Sequence, residues 1–199
     1  EISHLQIHHP EFTQDHDPKF ALPNGQSLLQ QIKTYPNVKA TSGRIILTGM
    51  ISSASGSSGI MINGITPQDE QSLTGLQDKL IQGNYYSADQ SNQIVISERL
   101  IKKLKLKIGN KTILTFQDKE GELASAAFKI NGVYKTVNSP YDEKNIFVNI
   151  QDVESLIGIK GQFLEIAILL QSNKLLEESQ TQLKNQYPDL LVQNWMEIS

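Results

Sequence analysis

The chain has 199 residues, with 18 Lys and Arg against 21 Asp and Glu and a formal net charge of −3 at pH 7. Apolar residues make up 38% and charged residues 20%, which excludes collagen-like, coiled-coil and highly charged disordered classes. There is no cysteine, so disulfides, thiolate metal sites and cysteine nucleophiles are excluded, and the acidic balance argues against nucleic acid as a partner.

In chain order, residues 4–9 alternate as a strand, and residues 10–24, with Pro10, Pro18 and Pro23, read as an irregular connection. Leu28, Leu29, Ile32 and Tyr35 share one face of a helix over 25–35 that Pro36 stops. Strands are expected over 38–51, broken near Gly43, and over 59–65, joined by a low-complexity hairpin loop at 52–58. A short helix over 76–81 closed by Gly83, a strand at 94–96 and a helix over 98–106 come next. Residues 112–117 and 126–133 form a hairpin around 118–121, followed by a strand at 145–149 and a helix over 152–157 closed by Gly158. A strand over 163–171, a helix from the Ser172 cap to Tyr187 and a strand over 190–193 end the pattern.

Two helix ends repeat. Tyr35-Pro36 and Tyr187-Pro188 each stop a helix that follows one strand and feeds another. Two strand–helix–strand units around a β-rich middle predict an α+β fold in which both helices cover the same face of one sheet. The longest apolar runs, such as 166–170, are strand-sized, far short of the roughly 20 residues that cross a bilayer. The chain opens on Glu1-Ile2-Ser3 without Met and enters a strand pattern almost at once, so it reads as a piece of a longer protein whose membrane segments lie outside it.

Candidate chemistry is sparse. His4 and His8 lie about 13 Å apart along a strand, too far to share one ion, even with His16 or Asp15 as a third ligand. Gly56-Ser57-Ser58-Gly59 lacks the Gly-Lys-Ser/Thr ending of a phosphate loop and runs into a strand rather than a helix. Ser55-Gly56-Ser57-Ser58-Gly59 also fails as a nucleophile elbow, because its setting is wrong and all four histidines precede residue 17. The pairs Asp69-Glu70, Asp142-Glu143 and Glu177-Glu178 read as solvated surface. Lys102, Lys103, Lys105, Lys107 and Lys111 form a basic run open to anionic headgroups or an acidic partner. Trp195, the single tryptophan, suits a membrane interface or a plug at the end of a sheet. No catalytic, cofactor or metal constellation is expected. Ser55, Gly56, Ser57 and Ser58, at a strand tip, are a candidate contact or hinge element.

A series of blocks resembles one family. Ser3-His4-Leu5-Gln6-Ile7 is similar to the opening that follows the first membrane helix of type VII ABC-transporter permeases, a group that holds the lipoprotein-releasing (Lol) permeases and the MacB pumps. Gly59-Ile60-Met61-Ile62-Asn63-Gly64-Ile65, Gln93-Ile94-Val95-Ile96-Ser97-Glu98-Arg99-Leu100, Phe128-Lys129-Ile130-Asn131-Gly132-Val133-Tyr134, Ile146-Phe147-Val148-Asn149 and Asn194-Trp195 follow in the family's order. The resemblance implies an extracytoplasmic domain of two lobes. One is a Porter-like lobe of two strand–helix–strand units (1–68 and 157–199), the other an inserted β-rich Sabre-like lobe (69–156). It further implies a non-catalytic, mechanotransmitting part of an inner-membrane protein, exposed to the periplasm, that couples ATP hydrolysis in a cytoplasmic ABC subunit to release of lipoprotein or amphipathic cargo. A second permease copy or paralogue would complete it, with a periplasmic carrier or adaptor as a further partner. The hairpin at 117–123 is short and lacks proline, unlike the carrier-recruiting Hook of one Lol permease. Its tip, Lys119, Glu120 and Gly121, is a second candidate contact for cargo or partner. A MacB-like exporter of peptides, toxins or antibiotics, and a secreted binding module, are the alternatives.

Overall fold

The computed structural model describes residues 3–14 and 16–198. The expectations that use Glu1, Ile2, Asp15 and Ser199 therefore lie outside the described residues. The chain is a mixed α and β structure, strand-rich, with ten strands in one hydrogen-bonded network.

Four strands form the first part: β1 (Leu5–His8), the start of β2 (Val38–Ser53), β9 (Glu165–Leu170) and β10 (Leu191–Asn194). Their order is β10-β1-β9-β2, each neighbour antiparallel. Helices α1 (Gly25–Lys33) and α5 (Leu176–Gln186) connect β1 to β2 and β9 to β10, so both strand–helix–strand units lie in one sheet, as the Tyr-Pro repeat predicts. Leu28, Leu29 and Ile32 of α1, with Leu176 and Leu183 of α5, bury against Leu5, Ile7, Ile166 and Ile168. The two helices also touch each other's units: Tyr187 Oη donates to Gln31 Oε1 at 2.6 Å, and Asn37 Nδ2 to Ser179 Oγ at 3.1 Å.

At residue 44 β2 changes partners. Residues 38–44 pair with β9, whereas 45–53 pair with β3 (Gly56–Ile65) and 49–52 with β6 (Lys111–Gln117). From there β3, β8 (Asn145–Asn149), β5 (Gln93–Ser97), β7 (Leu123–Tyr134) and β6 return to β2, so six strands close into a ring. Period-two alternation fills it: Ile45, Leu47, Ile51, Ile62, Leu114, Phe116, Phe128, Ile130, Ile96 and Val148 are all buried. Gly49 stands among these inward positions because a Cβ there would come within 2.5 Å of the Thr115 carbonyl oxygen, so glycine lets β6 approach. β4 (Leu80–Gly83) adds to the outer edge of β7.

Several expectations are corrected. β2 is not broken at Gly43; the glycine leaves room for the Phe163 ring, which a Cβ would meet at 2.5 Å. The serine-rich loop shrinks to a turn at Ala54-Ser55, because Gly56, Ser57 and Ser58 already belong to β3. Residues 76–79 form a 3₁₀ turn that feeds β4 rather than a helix to 81. Residues 150–152 form a 3₁₀ turn followed by turns to 158, where a helix over 152–157 is expected. Helix α2 (Pro67–Thr74) is missing from the sequence reading: its apolar stripe is weak, with only Leu73 and Glu70 buried, and Pro67 at its first turn is its clearest signal. Helices α3 (Glu98–Lys103), α4 (Ser139–Asp142) and α6 (Trp195–Ile198) are short.

Candidate functional site

Three buried ionisable side chains, His8, Glu70 and Glu165, converge on Arg44 where β2 changes partners. Register aligns His8 with Glu165 and Glu165 with Arg44 across β1, β9 and β2. Glu165 Oε1 lies 2.8 Å from His8 Nε2, and its Oε2 accepts from Arg44 Nη1 at 2.9 Å. Arg44 makes a two-pronged pair with Glu70 of α2, Nε to Oε1 at 2.9 Å and Nη2 to Oε2 at 2.7 Å. The side chain of Glu70 is 1% exposed and also accepts from Thr74 Oγ1 at 3.0 Å. The planar guanidinium fork suits this use, since it meets one carboxylate with two parallel bonds and still reaches a second.

Burial by itself disfavours charge on both sides of the cluster. For Glu165 it would push the carboxyl up, but the hydrogen bond from His8 and the charge of Arg44 outweigh it and hold the group at about 2. For Arg44, desolvation works against the cation, and Glu70 and Glu165 together raise its affinity for the proton. All four carboxylate oxygens are committed to partners inside the cluster. Such an arrangement acts as a clamp: Arg44 ties the four-stranded sheet, through Glu165, to the helix that follows β3, through Glu70. This corrects the expectation that the Asp69-Glu70 and Asp142-Glu143 pairs are solvated. Asp142 is buried as well, accepting from Thr136 Oγ1 at 2.6 Å and Thr136 N at 2.9 Å.

Two cavities flank Arg44 and Tyr141. One, of about 230 Å³, is lined by Ser3, Glu70, Lys79 and Tyr134; the other, of about 520 Å³, by His8, Phe12, Asn63 and Glu165. His8 stacks on Phe12 with centroids 5.6 Å apart. Its Nδ1, like Ser3 Oγ, is buried without a hydrogen-bond partner among the described residues.

The first and last strands lie side by side. Leu5 pairs with Asn194, and Trp195 N donates to His4 O at 3.1 Å. Register places Thr41 level with Leu5 through Ile168, and β2 then runs on to Ser53, roughly 40 Å away at 3.3 Å per residue.

Three solved structures share this architecture. The periplasmic region of MacB from Actinobacillus actinomycetemcomitans superposes with a TM-score of 0.65 at 17% identity, covering 98% of this chain and 90% of that one. The extracellular domain of the noncanonic ABC-type transporter YknZ from Gram-positive bacteria gives 0.65 at 13% identity, covering 96% and 99%. The chain has the fold of an ABC-permease extracytoplasmic domain. A domain described as part of a permease protein from Porphyromonas gingivalis gives 0.51 at 18% identity, covering 96% and 87%. No protein-family model and no curated protein matches the sequence. No helix among the described residues is long and apolar enough to cross a membrane.

Within this permease-domain fold the two candidate contact tips lie apart. Ser55, Gly56 and Ser57 are exposed at the far end of β2, whereas Ser58 is buried and its Oγ accepts from Lys103 Nζ at 3.1 Å. Lys119, Glu120 and Gly121 are exposed at the β6–β7 turn, where Lys119 N donates to Ile157 O. Ser52 faces Ile113, at the start of β6, so the two tips sit at opposite ends of that strand, roughly 20 Å apart. Ser53 Oγ bonds Leu104 O at 2.8 Å, which places the lysines that follow α3 beside the far tip, away from the chain ends. The basic run is exposed there, with Lys102 paired to Glu98 at 3.4 Å.

Proposed function

We propose that this domain is the extracytoplasmic lever of an ABC-transporter permease in a bacterial inner membrane, without a reaction of its own. One observation carries the reading: β1 and β10 lie side by side, with Leu5 opposite Asn194, level with the start of a strand that continues unbroken through the Arg44 clamp for roughly 40 Å of its own length to the far tip. A displacement applied at the paired ends would pass along β2 instead of being absorbed at a flexible joint. In this reading the helix-backed sheet belongs to the Porter-like lobe (1–68 and 157–199) and strands β4 to β8 to the Sabre-like lobe (69–156), so that the six-stranded ring is built from both. The partners are a cytoplasmic ATP-hydrolysing subunit and a second permease copy or paralogue, and the cargo is a lipoprotein or another amphipathic molecule. The lysines beside the far tip would then stand away from the lipid headgroups and face a protein or cargo. The likeness to the MacB periplasmic region supports a second reading, an exporter working with an adaptor protein.

The test is the complete gene product. Isolated from membranes in mild detergent, it should co-purify with an ATP-hydrolysing subunit, and protease added from the outer side should reach this domain. A gene product recovered wholly from the soluble fraction, with no associated ATPase, would overturn the proposal in favour of a secreted binding module.

A further inference from the structure

A groove remote from the Arg44 clamp carries a separate inference. It lies between the start of α2, the connection 84–92 and the end of β8, with a volume of about 770 Å³, inside the range of sites that take small ligands. Tyr85 and Tyr86 form part of its wall, with the amides of Gln68, Gln77, Gln90 and Gln151. Asn149, Asp89 and Asp152 add to a polar lining that also holds hydroxyl side chains, and among the described residues no Lys, Arg or His contributes to it.

The wall is built before any ligand arrives. Tyr85 Oη donates to Pro67 O at 2.7 Å and Tyr86 Oη to Phe147 O at 2.6 Å, which fixes both rings. The rings meet edge to face at 5.0 Å. Asn131 Nδ2 holds the carbonyls of Asn84 and Tyr85 at 2.7 Å each, and Asp152 Oδ2 accepts from Asn92 N at 3.1 Å, so the long connection is pinned at both ends. Against this rigid frame the side-chain amides of Gln68, Gln77 and Gln151 are exposed, and no hydrogen bond joins them to any described residue.

The chemistry selects a ligand class. An anion would meet two carboxylates and no cation. An apolar ligand would strip water from several amides and return no hydrogen bonds, a loss for each group left unpaired. A bound peptide strand would want a free sheet edge, and the groove includes no residue of the edge strand β4. A neutral polyhydroxylated ligand meets each requirement: vicinal hydroxyls offer a donor and an acceptor to one carboxamide, the carboxylates accept from hydroxyls, and the C–H face of a sugar ring packs on tyrosine. We propose that this groove binds a neutral carbohydrate chain. The proposal stands independently of the transport reading.

The experiment is an NMR titration of the 199-residue chain with chitotetraose, maltotetraose and cellotetraose, each compared with a capped tetra-alanine peptide and with inorganic phosphate. The expected result is that at least one saccharide shifts backbone and side-chain amide signals within 66–91 and 149–152. Gln68→Ala and Gln151→Ala, both at exposed positions, should each weaken that binding roughly fivefold while leaving the rest of the spectrum in place. The proposal is overturned if no saccharide shifts those signals, if the shifts fall elsewhere, if both variants bind as tightly as the parent, or if the peptide or phosphate takes the groove in preference.

Discussion

Replacing Arg44 with methionine removes the cation at the point where β2 changes partners and leaves the carboxylates of Glu70 and Glu165 buried. A buried pair broken on one side costs about 3–5 kcal/mol, and the structure gives a cross-check. Glu165 sits at about 2 against an ordinary value of 4.5. At 1.36 kcal/mol per pH unit this corresponds to roughly 3 kcal/mol of stability held by the ionised group, shared between the His8 hydrogen bond, its largest favourable source, and Arg44. Because the folded value is depressed, that contribution is complete above about pH 4.5 and drains away as pH falls toward 2. Urea unfolding at neutral pH should therefore find Arg44→Met less stable by about 3–5 kcal/mol, with the gap from the parent narrowing on acidification as the abandoned Glu165 carboxylate takes up its proton. A loss below about 1 kcal/mol at neutral pH, or a gap that widens in acid, would refute the reasoning.

Gly49→Ala should destabilise by about 3 kcal/mol, because its Cβ would sit 2.5 Å from the Thr115 oxygen and force β6 off the ring; faster amide exchange along β6 would report it. Gly43→Ala meets the Phe163 ring first, at the same 2.5 Å, a side chain rather than backbone, so its cost should be nearer 1–2 kcal/mol and should shrink when Phe163→Leu is added, a coupling read from a double-mutant cycle. Thr136→Val leaves the buried Asp142 carboxylate short of a donor and should lower stability by about 1–3 kcal/mol in thermal or urea unfolding, with Thr136→Ser retaining most of it.

The frame of the fold was legible because local signals agreed with the global answer. Tyr35-Pro36 and Tyr187-Pro188 marked two equivalent helix ends, and the topology put both units in one sheet. Alternation marked β6 and the middle of β7, since buried Leu114 and Phe116, and buried Phe128 and Ile130, are separated by Thr115 and Lys129, whereas β8 was marked as a short apolar run between Asn145 and Asn149. The clamp was not legible, because its members lie on β1, β2, α2 and β9 and meet only through register. A signal was present in the lone charges inside otherwise apolar strands: Arg44 leads directly into Ile45-Ile46-Leu47, and Glu165 into 166–170. A charge in such a strand is unaffordable unless a partner neutralises it, and two such strands of opposite sign are candidates to be neighbours. Glu70 gave no comparable hint, because α2 has a weak apolar face and its acidic pair looks like any solvated first turn. The Gly43 expectation failed for a related reason: the approach of Phe163 that glycine accommodates is a tertiary contact 120 residues further along the chain.

The most direct test of the lever uses the full-length transporter, with one spin label at Ser55 on the far tip of β2 and a second in a membrane-embedded segment, measured with and without a trapped ATP analogue. The account predicts that this distance changes by several ångströms on nucleotide binding while the distance from Ser55 to a label at Asn173, inside the domain, stays fixed. A tip that keeps its distance from the membrane in both nucleotide states would contradict it.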